Sequence, residues 1–212
     1  MKKILIVDDH AIVRQGLIRV LQDVLEQPSL FDEAAEAQQA IRMINAKEYD
    51  LVLLDISLPD QNGLALLKLL HQQNPKLPVI ILSSHPEEQY FVRTLRAGAS
   101  GYVNKGSGAA LLKKVINKVL AGKKFVSQTQ AELLTQAVCH NSEDMASHES
   151  LSDREVQLAC MMTAGGGLSE IARKLNLSVK TVSTYRARIL VKLNLRTTAD
   201  IISYCIHNNL SV

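Results

Sequence analysis

The chain has 212 residues, 47% of them apolar and 21% charged, and 24 Lys and Arg against 21 Asp and Glu leave a net charge of +3. That composition supports a buried core, excludes an overall disordered polymer and leaves room for two modest domains. No apolar run approaches the ~20 residues that cross a bilayer, and Asp8-Asp9 interrupts the first run too early for a secretion signal. Cys139, Cys160 and Cys205 are scattered without metal-ligand spacing, which fits packing thiols in a reducing cytoplasm.

From Lys2 to about Ala121, short β-branched runs alternate with helical patterns. Residues 4–7 form an apolar run ending in Asp8-Asp9, and residues 12–25 follow with helical spacing. Residues 30–35 read as a weak second strand, diluted by Asp32-Glu33, and residues 37–46 as a helix. The run 51–54 ends in Asp55 and precedes a helix over 63–72. The run 79–82 ends in Ser83-Ser84 before a helix over 86–97. Residues 101–104 lead into Lys105, and a helix over 108–121 carries Leu111, Leu112, Val115, Ile116, Val119 and Leu120 on one stripe. Short apolar runs of this kind suit a parallel sheet buried on both faces, and the alternation predicts right-handed βαβ crossovers in a doubly wound α/β fold.

Gly122-Lys123-Lys124 ends the alternation. A short helix fits residues 128–138, and residues 140–150 read as a flexible polar linker. Beyond them the pattern is wholly helical. Ser152 with Glu155 forms a capping box that opens a helix ending near Gly165. A second helix covers 168–175, Asn176-Leu177 makes a turn, and Ser178 caps a third helix reaching about Leu193, with a fourth over 198–207. The domains expected are thus 1–124, a partly helical linker over 125–147, and 148–212.

In open parallel sheets the ligand site lies at the carboxyl ends of the strands, where Asp8, Asp9, Asp55, Ser83 and Lys105 would gather. Concentrated carboxylates call for a hard cation such as Mg²⁺, with Mn²⁺ a substitute. Asp55 can act as a nucleophile toward phosphorus, Lys105 can pair with phosphate as a point charge, and Ser83 can donate to a phosphoryl oxygen. An Asp-Asp pair alone would as readily be a strand-end cap; the ordered set of strand ends favours the phosphoryl site.

Between 173 and 196 lie Arg173, Lys174, Lys180, Arg186, Arg188, Lys192 and Arg196 with no acidic residue. On the third helix of this segment Val182, Ile189, Leu190 and Leu193 share a stripe that should face a core. Lys180, Thr181, Ser183, Thr184, Arg186, Ala187, Arg188 and Lys192 are left for the outer face. The helix-turn-helix spacing points to a helix reading the major groove, with Lys and Arg on phosphates, more than to a merely solvated basic face.

Several stretches carry a family resemblance: Ile-Val-Asp8-Asp9-His10, Asp55-Ile-Ser-Leu-Pro59 with Gly63, Leu-Ser83-Ser84-His85, and Arg96-Ala-Gly98-Ala-Ser-Gly101-Tyr102-Val-Asn-Lys105. In these, residues 1 to about 124 resemble the receiver domain of bacterial response regulators. The resemblance implies a flavodoxin-like sheet of five parallel strands in the order 2-1-3-4-5. It implies that Asp55 accepts phosphate from a histidine kinase. Asp9, Asp55 and the Ser57 carbonyl would hold Mg²⁺, with Asp8 assisting through water. Ser83, Ser84 and Lys105 would bind the phosphoryl group, and Ser83 and Tyr102 would form a switch pair, the ring turning inward as the hydroxyl moves. The side chains of Ser57 and His85 would at most tune dephosphorylation, with His10 and His85 solvated neighbours. One departure is Gly106, where many receivers have proline after the lysine.

Residues 151–210 resemble the LuxR-type helix-turn-helix domain in Leu151-Ser-Asp-Arg-Glu155, Gly165, Glu170-Ile-Ala, Leu177-Ser-Val-Lys-Thr-Val182, Tyr185-Arg186 and Lys192-Leu-Asn-Leu195. Gly165-Gly166-Gly167 departs from the family's single glycine and suggests a looser turn there. Together the two halves resemble a NarL/FixJ-type response regulator. That implies a phosphorylation-controlled transcription regulator binding double-stranded promoter DNA. Its partners would be a sensor histidine kinase, RNA polymerase, and a second copy through the last helix at Ala199, Ile202, Ser203 and Ile206. Two other readings are a phosphatase or phosphotransferase with an aspartyl nucleophile and a phosphate-inert docking module. The first is poorly served by adjacent rather than alternate carboxylates, the second by an intact set of strand-end groups.

Overall fold

Apolar strands with no polar face need cover on both sides, and the computed structural model arranges them so. It describes residues 1–25, 28–85, 87–139, 151–208 and 210. These fall into two compact units, Met1–Gln130 and Ala131–Val212.

In the first unit β1 (Lys2–Val7), α1 (Ala11–Val24), β2 (Ser29–Ala34), α2 (Ala37–Ala46), β3 (Leu51–Asp55), α3 (Gly63–Gln73), β4 (Val79–Ser83), α4 (Glu87–Arg96), β5 (Gly101–Asn104) and α5 (Ala109–Leu120) follow in turn. The five strands are parallel in the order β2-β1-β3-β4-β5. Alternate strand residues Ile4, Ile6, Leu51, Leu53, Ile80, Leu82 and Val103 pack with Leu17 and Leu21 of α1 and Leu112, Val115, Ile116 and Val119 of α5. The intervening Leu5, Val7, Val52, Leu54 and Ile81 point to the opposite face and are equally buried. Edge strand β2 reads weakly because its carboxylates face partners distant in sequence. Asp32 accepts from Lys47 Nζ at 2.7 Å and Tyr49 Oη at 2.8 Å, and Glu33 meets Arg14 Nε at 2.7 Å.

α6 (Gln128–Cys139) begins at the end of this unit. The unit extends past the sequence-expected limit at 124 because Phe125 is buried and its N–H donates to Ser100 O at 2.8 Å. Residues 140–150, read as a linker, lie outside the described residues, as does the side chain of Cys139.

In the second unit α7 (Asp153–Thr163), α8 (Leu168–Lys174), α9 (Val179–Lys192) and α10 (Thr198–His207) enclose a core that includes Leu151, Val156, Leu158, Ile171, Val182, Ile189, Leu193 and Ile201. The Ser152–Glu155 capping box forms, Ser178 caps α9 by accepting from Thr181 N, and Thr197 with Asp200 makes a second box on α10. Asn176 and Asn194, with φ of 52° and 53°, end α8 and α9 in the left-handed conformation that asparagine tolerates. The three glycines are not equivalent: Gly165 has φ +82°, while a Cβ on Gly166 would lie 2.9 Å from Met161 O. Cys160 and Cys205 are buried, and burial pushes the Cys205 thiol up to about 11.

Candidate functional site

Parallel strands of matched register deliver their carboxyl ends to one edge of the sheet. Asp8, Asp55 and Ser83, almost fully shielded from solvent, meet there with Lys105. The Lys105 N–H donates to Ser83 O at 2.7 Å, so the end of β5 is fixed to the end of β4. Its Nζ lies 2.7 Å from Asp55 Oδ2 and 2.7 Å from Asp8 Oδ2. Burial raises the Asp55 pKa and the Asp8 charge adds to it, against Lys105 and the Ser57 N–H, which donates to Asp55 Oδ1 at 3.2 Å. Burial also works against the Lys105 ammonium, but the Asp55 and Asp8 carboxylates outweigh it and raise its pKa.

The acidic pocket is wider than the aspartates alone. Ligand atoms of Asp8, Asp9, His10 and Asp55 all lie within 4.8 Å of one another. Asp8 Oδ2 is buried at ion-pair distance from Lys105 yet accepts no well-directed hydrogen bond. This oxygen-rich donor set fits a hard divalent cation. The His10 ring is 67% exposed, and its Nδ1 sits 2.7 Å from Asp9 Oδ1 and 3.3 Å from Asp8 Oδ1. The cause is local, since the His10 N–H donates to Asp8 Oδ1 at 2.8 Å and turns the residue back over the strand end.

Behind the pocket, the Ser83 hydroxyl accepts from the His85 N–H at 3.0 Å. The Tyr102 ring lies inside, 1% exposed and edge-on to Phe91, with its hydroxyl donating to His85 O at 3.0 Å. Asn104 Nδ2 donates to the same carbonyl at 3.1 Å, and Asn104 Oδ1 accepts the Gly106 N–H at 2.8 Å. Every described peptide is trans, and Asn104 braces the loop after Lys105 through these two bonds. Ser84 is exposed. Ser57 Oγ and His85 Nε2 are 3.1 Å apart, and burial lowers the His85 pKa, helped by Lys105 and opposed by Asp55. A Cβ on Gly63 would lie 2.1 Å from Asp55 O, so only glycine lets α3 start against the end of β3.

Two residues that sequence reasoning passed over complete this region. Asn104 is one. Gln130 is the other: it is buried, its Nε2 donates to Tyr102 O at 3.1 Å and Glu87 Oε1 at 3.0 Å, and its Oε1 accepts from Ser127 N at 3.0 Å. The available signal was Ser127-x-x-Gln130, a capping box at the start of α6.

In the second unit the residues assigned to an outer face divide. Lys180, Thr184, Ala187 and Arg188 are exposed on α9, with Arg188 over the Tyr185 ring at 5.8 Å. Thr181 and Ser183 are half-buried, and Thr181 shares the cap with Ser178. Arg186 turns toward α10, with Nη1 3.5 Å from Thr198 Oγ1. Lys192 Nζ bonds Glu155 Oε2 at 2.7 Å. Burial opposes the Glu155 charge, but Lys192 and the Ser152 N–H outweigh it and lower its pKa. On α10, Ala199 and Ser203 are exposed, Ile202 is half-buried and Ile206 is 57% exposed, forming one outward strip. No helix among the described residues is long and apolar enough to cross a membrane.

Comparison with known proteins covers both units. Residues 4–117 match the response regulator receiver domain, and residues 149–205 match the bacterial regulatory proteins of the luxR family. The response regulator UvrY of Escherichia coli O6:H1 is 31% identical over 210 residues, covering 99% of this chain and 96% of that protein. The response regulator GacA of Pseudomonas aeruginosa is 32% identical over 201 residues, covering 95% and 94%. The structure of RcsB from Salmonella enterica serovar Typhimurium, bound to promoter P1flhDC with the phosphomimetic BeF3⁻, superimposes with a TM-score of 0.59. It is 25% identical and covers 96% of this chain and 97% of that one.

Proposed function

The chain belongs to the response regulators that join a receiver domain to a LuxR-type DNA-binding domain, and from that premise we propose that Asp55 is where the signal is written. The protein is a DNA-binding transcription regulator of two-component signalling controlled by phosphorylation, and not a metabolic enzyme. The observation that carries the site reading is the Asp55 carboxylate, buried at a strand end with Lys105 at 2.7 Å. One Asp55 oxygen attacks the phosphorus of a kinase phosphohistidine, the P–N bond breaks as the new O–P bond forms, and the imidazole leaves with the electron pair. Lys105 moves its charge from the Asp55 carboxylate to a phosphoryl oxygen. Asp9, Asp55 and the Ser57 carbonyl would hold Mg²⁺, or Mn²⁺, with Asp8 acting through water, and the cation when bound would supply positive charge beside the transferred group.

Ser83 and Ser84 donate to the phosphoryl oxygens. For Ser83 this donated bond adds to the one its oxygen accepts from the His85 N–H, and Tyr102, already inside, donates to the His85 carbonyl. On the DNA side Lys180, Thr181, Ser183, Thr184, Ala187 and Arg188 address bases and phosphates, while Arg186 and Lys192 hold α9 from behind. Two copies meet through Ala199, Ile202, Ser203 and Ile206 and place their α9 helices on adjacent half-sites, in reach of RNA polymerase. The kinase partner and a cytoplasmic site of action follow from the same reading.

The test compares wild type with Asp55→Ala after treatment with acetyl phosphate and Mg²⁺, on genomic fragments recovered with the protein. Wild type is expected to gain affinity and to dimerise, and the variant to do neither. Equal affinity and equal oligomeric state in all samples would leave a constitutive DNA binder.

A further inference from the structure

His10 is the residue of the acidic pocket that the phosphoryl reading leaves without a task. Its Nδ1 lies 2.7 Å from Asp9 Oδ1 and 3.3 Å from Asp8 Oδ1, and it belongs with them and Asp55 to one cluster spanning 4.8 Å. Ligand bonds of about 2.1 Å set neighbouring ligand atoms of an octahedron about 3.0 Å apart and opposite ones about 4.2 Å apart. The 2.7 Å between Nδ1 and Asp9 Oδ1 is close to that edge, and the full span needs only a small contraction. The other Asp8 oxygen, Oδ2, is buried and faces the Lys105 ammonium at 2.7 Å without a well-directed hydrogen bond. His10 is also held in place without its ring: its N–H bonds Asp8 Oδ1, and its carbonyl accepts from Val13 N and Arg14 N at the start of α1. The ring does not cap the helix.

We propose that His10 is a nitrogen ligand of the acidic pocket, making it a mixed nitrogen–oxygen site that strengthens Mn²⁺ and Co²⁺ binding relative to Mg²⁺. The proposal rests on the reading of this pocket as a divalent-cation site. Imidazole binds first-row transition ions well, whereas Mg²⁺ favours oxygen and keeps its waters. A nitrogen ligand therefore shifts selectivity, which aspartates alone do not.

The experiment uses the full chain without phosphodonor. Mn²⁺, Co²⁺ and Mg²⁺ are each titrated calorimetrically into wild type and His10→Ala, and Mn²⁺-loaded wild type is examined by pulsed electron paramagnetic resonance for coupling to an imidazole nitrogen. Nitrogen coupling is expected in wild type. In His10→Ala, Mn²⁺ and Co²⁺ should bind about tenfold more weakly, with Mg²⁺ changed less than about twofold. Absence of nitrogen coupling in wild type, or equal weakening for all three ions, overturns the role of His10 while leaving the cation pocket standing. No binding of any of the three ions to wild type overturns both. The wild-type spectrum needs no variant, so it decides the matter even if His10→Ala folds poorly.

Discussion

A residue's type tells what it can do, and its neighbours decide whether it does so. Lys192 belongs by sequence to a basic run, yet it bonds the buried Glu155, 37 positions away. Asn104 and Gln130 likewise act on partners 19 and 28 positions distant, at the His85 and Tyr102 carbonyls. Asp8, Asp55, Ser83 and Lys105 were legible because each follows an apolar run and needs no partner to be recognised. Glu155 allows a direct test of the pair. Its folded pKa is depressed, so its contribution is fully present above the unfolded value and is lost as pH falls through the folded one. Glu155→Gln should destabilise the helical unit by about 1–3 kcal/mol at pH 7. Calorimetry should find the gap from wild type closing as pH falls below the ordinary glutamate range; a constant gap would place Glu155's value in packing rather than charge.

Among elements, helical period located α6 but not what anchors it. Its first turn is held by the Ser127–Gln130 box, and the same Gln130 amide reaches both Glu87 of α4 and Tyr102 of β5. Gln130→Ala removes the bonds to Tyr102 O and Glu87 and half of the cap, a loss of about 1–3 kcal/mol. Hydrogen exchange should speed up at the amides of the first α6 turn while the β1 and β3 amides stay protected. Unchanged exchange at α6 would mean the helix start is held by something other than this side chain. The edge strand β2 was faint for a related reason. Its Asp32 and Glu33 break the apolar pattern that marks buried strands, and only Lys47, Tyr49 and Arg14, brought in by the fold, explain them.

For the molecule as a whole, the division into a strand-bearing and an all-helical half was visible in the point where alternation stops. The extent of the first unit was not, because Phe125 and Gln130 are drawn in by contacts made only after folding. Three aspartates gather at the sheet end, and Lys180, Arg186, Arg188 and Lys192 lie along α9. Exposed cations on that helix make DNA affinity a matter of counterion release. In Arg188→Ala the slope of log affinity against log salt should shrink by about 1, whereas Lys192→Met should leave it unchanged because that charge is spent on Glu155. Equal losses of slope in both variants, by fluorescence anisotropy on one DNA fragment, would return Lys192 to the phosphate-binding set.

The chemistry of the phosphoryl pocket is carried by side chains, but its depth is set by a residue that has none. With 2.1 Å between Asp55 O and the place where a Cβ of Gly63 would stand, α3 lies too close to β3 there for any side chain to stand between them. Gly63 N–H bonds Ile56 O at 2.8 Å across that closest approach. The floor beneath Asp55 is therefore a fixed ruler made of backbone. It sets how far the Asp55 carboxylate stands out from the end of β3.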